Sequence, residues 1–353
     1  MSIFIVLAYA VLFLLTVTIL LSSSLLISNI GARYQQQQYL KKHQMLHDAL
    51  VAYIKHPEDL VSIQKIALKN KNILLGVIVQ LSDSGEGLAK SQITGILNKL
   101  GLQDLVHQQL LLLKSSNAQL RLKACSLLPY IADREIAGMA LINALNDPML
   151  DIRLNATQGL GKLLYVKAIP AIIEKVSLPS IWPSQRVIEA IAVMGDGALQ
   201  PLINYLAKPE LKDGSKLICI GVLGLLKNSE ALPILSKSLD SPSLEIRVQT
   251  VKALGLIGDE SITSKLCLCM KDSAWEVRAA VASALGTIKN KEAISCLNSG
   301  LVDEAWWVRR NAANALYSIG AQGIEALKTN LLSEDRFARE MSQLILDEKV
   351  GAR

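Results

Sequence analysis

A sequence unit of about 31 residues recurs along most of this chain. Such a period constrains the fold strongly, because it predicts stacked copies of one small structural unit. Basic residues mark a constant frame: Lys90, Arg121, Arg153, Arg186, Lys216, Arg247, Arg278, Arg309 and Arg339. Seven residues after each of them lies an aliphatic residue: Leu97, Leu128, Leu160, Val193, Leu223, Leu254, Leu285, Leu316 and Leu346. Two slots that agree in every copy predict a repeat array rather than an ordinary globular core.

Each copy has the pattern of two helices, A and B, joined by a short turn. Pro170, Pro201 and Pro233 suit the first turn of helix A, where a backbone N–H has no intrahelical partner. The turn before helix B carries Asp147, Asp272 or Asp303, whose carboxylates are expected to accept hydrogen bonds from free backbone N–H groups. Glycines eight residues after the basic position are expected to permit close helix approach: Gly161, Gly224, Gly255 and Gly286.

Residues 272–288 (DSAWEVRAAVASALGTI) and 303–320 (DEAWWVRRNAANALYSIG) resemble HEAT repeats of the phycobilin-lyase-like subtype. The resemblance covers roughly residues 86–350. It implies an all-α fold, a right-handed α-solenoid of HEAT-type helix pairs, in which the basic residue pairs with acidic groups of a neighbouring turn. HEAT repeats serve many unrelated tasks, so the resemblance is specific for fold and not for function.

The first 30 residues contain no charged side chain, and residues 3–21 form an apolar run. As a helix, this run would be about 28 Å long, close to the hydrocarbon thickness of a bilayer. A cleaved signal peptide is disfavoured, because no basic side chain precedes the run and the run is too long. We therefore predict one transmembrane helix before the solenoid, in the membrane through residues 3–28. Arg33, Lys41 and Lys42 follow it, so the positive-inside rule predicts an inner-membrane, single-pass protein with its N-terminus outside and its repeats in the cytoplasm.

The predicted organisation is a transmembrane anchor at 1–30, a juxtamembrane helix at 31–56, a degenerate N-terminal cap of two helices at 57–85, and a HEAT-repeat array at 86–353 that ends in a cap helix. In the juxtamembrane helix, Leu46, Leu50, Tyr53 and Ile54 can share one face. We expect this face to pack on the first repeat. A short dimerising coiled coil remains an alternative.

The net charge of +6 is unevenly spread. Residues 31–145 contain 13 Lys and Arg against 8 Asp and Glu, whereas residues 146–353 contain 24 against 23. A basic region close to the anchor suits anionic lipid headgroups, and a near-neutral array is not typical of nucleic-acid binding. We therefore expect a protein partner and the membrane, and no nucleic acid.

The five cysteines are an odd number, and their spacing fits neither a disulfide framework nor a metal knuckle. We expect all of them to be free thiols in helix packing, which favours a reducing compartment. They are Cys125, Cys219, Cys267, Cys269 and Cys296.

Recognisable catalytic signatures are missing from the sequence. Deoxyhypusine hydroxylase, which also has HEAT-like repeats, binds iron through His-Glu dipeptides, and none of the four histidines here is followed by Glu. The sequence contains no Gly-rich phosphate loop, GxSxG or HExxH. Asp133, Glu135, Glu292 and Glu304 are interpreted as solvated helix ends. We predict no catalytic residue, no cofactor and no metal site.

The four tryptophans, Trp182, Trp275, Trp306 and Trp307, all fall in the turn before helix B, where packing across the turn is expected. Trp306 and Trp307 are adjacent, so one of them should be more exposed. With Arg310, Asn311 and Asn314 they form the predicted partner contact, because Trp and Arg are enriched among interface anchors.

The sequence thus favours a membrane-anchored interaction scaffold or adaptor that recruits or regulates a partner at the cytoplasmic face of the membrane. The alternative is a lyase or oxidoreductase-type enzyme subunit related to phycobilin lyases. The partner and the oligomeric state cannot be inferred from the sequence.

Overall fold

The computed structural model describes residues 2–55, 61–84, 88–176 and 184–350, and within these ranges the chain is helical and contains no β-strand. The chain divides into two compact units, Met1–Leu111 and Leu112–Arg353. Unit 2 is built of successive helix pairs, so the predicted α-solenoid is confirmed.

Unit 1 contains the long N-terminal helix and two short helix pairs. Its helices are α1 Ser2–Lys55, α2 Val61–Lys69, α3 Lys71–Asp83, α4 Lys90–Lys99 and α5 Asp104–Leu112, the last of which ends at the boundary. Helices α2 and α3 are the two helices predicted before the array, whereas α4 and most of α5, which we assigned to the array, belong to unit 1 by their contacts.

Helix α1 is continuous over 54 residues, which corresponds to about 80 Å. The end of this helix packs against α2 and α3. Leu46, Leu50 and Tyr53 are buried there and Ile54 is half-buried, so the predicted face is covered mainly by α2 and α3 rather than by the first repeat of the predicted array. Tyr53 accepts a hydrogen bond through its hydroxyl from Lys99 Nζ at 3.3 Å. The C-terminal part of α1 is therefore a core helix of unit 1.

Unit 2 alternates helices A and B. Helices B are α6 Ala118–Ile131, α8 Leu150–Lys162, α10 Ser184–Ala192, α12 Asp213–Leu226, α14 Leu244–Ile257, α16 Trp275–Ile288, α18 Trp306–Ile319 and α20 Arg336–Val350. Helices A are α7 Arg134–Ala144, α9 Ile169–Val176, α11 Leu199–Leu206, α13 Leu232–Ser238, α15 Thr263–Cys269, α17 Ile294–Gly300 and α19 Ala321–Asn330. A short 3-10 turn precedes each of α9, α11, α13, α15 and α17.

The structure confirms the register of the repeat. Each basic marker from Arg121 onward lies in a helix B, and from α12 to α20 it is the fourth residue of the helix, whereas Lys90 begins α4 of unit 1. Pro170, Pro201 and Pro233 lie in the first turns of α9, α11 and α13, as expected. Trp182 lies outside the described residues.

Successive helices B pack directly against each other, most extensively from α12 to α18. Glycine makes this approach possible. A Cβ added at Gly224 would lie 2.7 Å from the Cα of Ala253, and one added at Gly286 would lie 2.9 Å from the Cα of Ala315. Because these neighbours are backbone atoms, the helices would have to move apart to accept a methyl group.

The basic markers link neighbouring repeats through a ladder of Arg–Asp pairs. Arg278 donates to Asp303 through Nε at 2.6 Å and through Nη2 at 2.9 Å. Its Nη1 donates to the carbonyl oxygen of Asp272 in its own turn at 2.9 Å. Arg247 with Asp272, and Arg121 with Asp147, repeat this arrangement. The expected pairing with a neighbouring turn is therefore confirmed at these positions.

Each ladder aspartate also caps its own turn. Asp303 Oδ1 accepts from the backbone N–H of Ala305 at 2.8 Å, just before α18 begins. Burial disfavours the charged carboxylate, but the hydrogen bonds from Arg278 and Ala305 and the positive charges of Arg278 and Arg309 outweigh it. The pKa of Asp303 therefore lies below its usual value.

The ladder is not uniform. Arg309 donates to the carbonyl oxygens of Asp303 and Glu304, and its guanidinium lies 4.3 Å from the ring centroid of Phe337 instead of forming the next Asp pair. Lys216 forms a longer ion pair with Asp213 in its own helix, at 3.7 Å. Arg186 is exposed. The regular Arg–Asp geometry is thus shown at the start and in the later part of unit 2.

We expect Gly224→Ala to destabilise the protein by about 1–2 kcal/mol. The free-energy cost of overpacking against Ala253 exceeds the stabilisation from the higher helix propensity of alanine. Gly214→Ala in the same helix is the control, since nothing lies within 4 Å of an added Cβ there. It should stabilise by about 0.5–1 kcal/mol. Urea unfolding followed by circular dichroism measures both, and equal effects of the two substitutions would refute the packing argument.

We expect Asp303→Ala to lower the free energy of unfolding by about 2–4 kcal/mol. The substitution leaves Arg278 without the carboxylate of Asp303 and the Ala305 N–H without an acceptor. Asp240→Ala, at an exposed aspartate of another turn before helix B, should change the free energy of unfolding by less than about 0.5 kcal/mol.

The ladder also makes stability depend on pH. Since the pKa of Asp303 is lower in the folded than in the unfolded protein, its contribution is present above the unfolded-state pKa of about 3.9. It is lost as the pH falls through the lower folded-state pKa. Thermal unfolding between pH 2 and 7 should therefore show a weaker acid dependence for Asp303→Ala than for the unsubstituted protein. An unchanged dependence would contradict this assignment.

Candidate partner-binding surface

Trp306 and Trp307 begin helix α18 and are both exposed, at 41% and 56%. Their ring centroids are 4.7 Å apart in an edge-to-face arrangement. The turn before α18 is held by Asp303, so the two rings project from a fixed helix start. The prediction that one of the pair would be more exposed agrees with these values, although neither ring is buried across the turn.

Arg310 joins this aromatic pair. Its guanidinium lies 5.2 Å from the ring centroid of Trp306, within the range of a cation–π contact. It also donates to Glu348 of helix α20, at 3.3 Å. The ion pair limits the free positive charge of Arg310 and orients its planar group beside the indole.

The two predicted asparagines, Asn311 and Asn314, both donate to backbone carbonyl groups. Asn311 Nδ2 donates to the carbonyl oxygen of Ala279 at 2.9 Å, in the preceding helix B. Asn314 Nδ2 donates to the carbonyl oxygen of Arg310 in its own helix, at 3.0 Å. Both side chains are half-buried. Of the five predicted contact residues, Trp306 and Trp307 are exposed, and Arg310 lies beside Trp306.

Other exposed apolar side chains lie in the turns before helices B, and the sequence analysis missed them. Leu244, Trp275 and Trp306 are each the first residue of a helix B, 31 residues apart. They are joined by Val302, Trp307, Leu332 and Phe337. The signal was present as an apolar residue three positions before Arg247, Arg278 and Arg309. Packing across the turn was expected there, but the turn interior is filled by the Arg–Asp pair.

Glu135, interpreted from sequence as a solvated helix end, has specific partners. It accepts from Tyr165 Oη at 2.7 Å and from Lys167 Nζ at 2.8 Å. The hydrogen bonds from Lys167 and Tyr165 hold the pKa of Glu135 below its usual value. A Cβ at Gly138 would overlap the Tyr165 ring, so the glycine makes room for the tyrosine. The cluster links helix α7 to the turn that precedes α9.

The cysteine prediction was wrong in part. Cys267 of α15 and Cys296 of α17 form a disulfide that joins two consecutive helices A. Cys125, Cys219 and Cys269 are free. Burial raises the pKa of the Cys125 and Cys219 thiols to about 12, so neither is a thiolate nucleophile at neutral pH. The error arose because Cys267 and Cys296 occupy different helices, and only the stacking of repeats brings them together.

The residues that the structure describes contain no group of three or more His, Cys, Asp or Glu side chains that could hold a metal ion. The geometry of this part of the chain therefore offers a contact surface and gives no positive indication of catalysis.

Residues 263–346 match the family model for HEAT repeats. No curated protein matches the chain in sequence. Among solved structures, the chain is similar to an engineered protein, with 18% identity, coverage of 89% of this chain and 94% of that chain, and a TM-score of 0.38.

Two enzymes are also among the similar structures. Human deoxyhypusine hydroxylase in complex with glycerol shows 20% identity, coverage of 71% and 98%, and a TM-score of 0.30. The complex of CpcE and CpcF of phycocyanin lyase from Nostoc sp. PCC7120 shows 20% identity, coverage of 69% and 94%, and a TM-score of 0.32. At these identities and TM-scores, the similarities carry no argument about activity.

The matched segment contains the helix pairs α15 to α20, and the same unit, with its basic marker in helix B, recurs through unit 2. Residues 263–346 are thus a segment of HEAT repeats within the α-solenoid of unit 2.

Proposed function

We propose that this chain is a membrane-anchored scaffold or adaptor that recruits or regulates a protein partner through the exposed face of its helices B. The observation that carries the proposal is the aromatic pair Trp306 and Trp307, presented with Arg310 on a rigid helix start of a repeat array. Repeat arrays bury their core between neighbouring units and leave an extended surface for partners. Exposed Trp and Arg side chains are common anchors of protein interfaces.

The surface of helix α1 supports the membrane anchor. Within Phe13–Ile54 an 18-residue window has a mean hydropathy of 2.0, and none of it is buried. Phe13, Leu14 and Leu15 are all more than half exposed, although consecutive residues of a helix point about 100° apart. A helix that is apolar on every side needs an apolar environment, which a bilayer supplies.

The following part of α1 would separate the packed core of unit 1 from the bilayer. Residues 31–42 are exposed and helical, and 12 helical residues span roughly 18 Å. Anchoring restricts the protein to partners at the same membrane and raises their effective concentration, so that weak contacts suffice.

The orientation that we propose places the repeats in the cytoplasm and the N-terminus outside. Arg33, Lys41 and Lys42 support it through the positive-inside rule. The cysteines no longer support it, because the Cys267–Cys296 disulfide is typical of an oxidising compartment. The proposed orientation therefore depends on charge alone.

We expect the full chain, purified from membranes in mild detergent, to co-purify with at least one protein that a control containing only residues 1–56 does not enrich. Quantitative mass spectrometry measures the ratio. Trp306→Ala with Trp307→Ala should reduce the captured amount at least about tenfold, because a central interface anchor contributes about 2 kcal/mol or more. If the full chain enriches nothing over the control, the scaffold function is refuted.

Thiol labelling tests the orientation. Cys269 is a half-buried free thiol in unit 2, whereas Cys125 and Cys219 are buried. In spheroplasts, a membrane-impermeant maleimide should leave Cys269 unlabelled until the membrane is permeabilised. A cysteine introduced by Ser2→Cys should react without permeabilisation. Labelling of Cys269 in intact spheroplasts would place the repeats on the outer side.

A further inference from the structure

The turns between helices A and B in the last repeats each carry exposed apolar side chains. Leu244, Trp275 and Trp306 occupy the same position, the first residue of α14, α16 and α18. Because α14, α16 and α18 pack side by side, equivalent residues lie in a row. The row also contains large side chains from the same turns and helix starts, and we name the whole set the turn-edge row: Leu244, Trp275, Val302, Trp306, Trp307, Leu332 and Phe337.

These apolar side chains cannot be buried inside the turns. The space within each regular turn is occupied by a ladder pair, with Arg278 and Asp303 only 10% and 12% exposed. Leu332, in contrast, is 88% exposed. A row of exposed apolar side chains that includes three Trp residues is typical of an interaction site.

The exposed charge beside the row is mainly acidic. Five acidic side chains flank it, of which Glu276 is half-buried and the others are exposed: Asp240, Glu245, Glu276, Glu304 and Glu334. The exposed basic residues of these turns are Lys271 and Arg336, and Arg336 is paired with Glu340 at 2.6 Å. The ladder arginines are committed to Asp side chains and to turn carbonyl groups.

This combination selects one class of partner. Anionic lipid headgroups and nucleic-acid phosphates would be repelled by the flanking carboxylates. A segment with apolar side chains on one side and Lys or Arg on the other would match both the row and its flanks. We propose that the turn-edge row is a docking surface for a basic amphipathic protein segment. This inference rests on the proposed scaffold function and specifies the chemistry of its partner.

The length of the row fits such a segment. Packed helices lie about 8–10 Å apart, so the four helix starts from α14 to α20 extend over roughly 25–30 Å. An 18-residue helix is about 27 Å long. One amphipathic helix of this length can therefore contact the row from Leu244 to Phe337.

The test uses the full chain in nanodiscs of zwitterionic phosphatidylcholine. The probe is a fluorescein-labelled 18-residue peptide of Leu and Lys at helical spacing, and its matched partner has Glu in place of Lys. After subtraction of the signal from empty nanodiscs, fluorescence anisotropy should show the Lys peptide binding at least tenfold more tightly than the Glu peptide. The Trp emission should shift to shorter wavelength on binding, because three of the four tryptophans lie in the row.

Charge reversal identifies the surface. The triple variant Glu245→Lys, Glu276→Lys and Glu304→Lys should weaken binding of the Lys peptide at least tenfold. The control is Glu230→Lys, Glu260→Lys and Glu292→Lys, which changes the net charge equally but alters exposed residues of the turns that precede helices A. The control should bind within twofold of the unsubstituted protein.

Glu304 contacts Arg278 at 3.4 Å, so its reversal could disturb the ladder. The double variant Glu245→Lys with Glu276→Lys avoids this contact and should still weaken binding at least fivefold. Circular dichroism checks that each variant keeps the helical content of the unsubstituted protein.

Four results would overturn the inference. Equal weakening by both triple variants would show non-specific attraction, and equal affinity for the Glu peptide would show that charge does not select the partner. Tighter binding to phosphatidylserine vesicles than to the Lys peptide would indicate a membrane surface instead. If the full chain captures a membrane protein and the Glu245, Glu276 and Glu304 variant captures it equally, the scaffold function stands and this docking surface fails.

Discussion

The array depends on the hydrogen bonds that the turn aspartates accept, because each carboxylate has two roles. Asp303 binds the guanidinium of Arg278 from the preceding repeat and, through Oδ1, also the backbone N–H that leads into its own helix B. One carboxylate therefore fixes a turn and connects it to its neighbour. The helices B can then approach closely, and glycines such as Gly224 and Gly286 remove the side chains that would prevent the contact. The exposed aromatic residues next to these turns are therefore attached to a fixed backbone.

The repeat architecture could be predicted from sequence because every contact that defines it lies within one unit or between adjacent units. The basic markers, the aliphatic residues seven positions later and the prolines of helix A are local signals with a constant period. The same holds for the buried face of α1, where Leu46, Leu50 and Tyr53 follow helical spacing. In such cases the spacing of apolar residues along the sequence already determines which side of a helix is buried.

The other features depend on which surfaces of neighbouring repeats contact each other, and the sequence did not predict those contacts. The Cys267–Cys296 disulfide joins helices of two repeats, and no spacing rule predicts it. Asn311 was interpreted as a contact residue, but its amide reaches the Ala279 carbonyl of the preceding repeat. Trp275 was expected to pack across its turn, yet the buried Arg–Asp pairs exclude it from the interior. In each case the packing between neighbouring repeats determines where the side chain lies. The sequence of a single repeat does not show this packing.

The geometry of the ladder has a consequence for how such a chain can change in length. Arg247 reaches Asp272 and Arg278 reaches Asp303, with the same separation of 25 positions. Loss of residues 272–302 would bring Asp303 into the place of Asp272, and Arg247 would find an equivalent carboxylate. Duplication of this segment would add a further pair of the same kind. Repeats of this part of unit 2 are thus interchangeable by whole-unit recombination. Among the described residues, Arg186 and Lys216 do not form the matching Arg–Asp pairs that such an exchange would conserve.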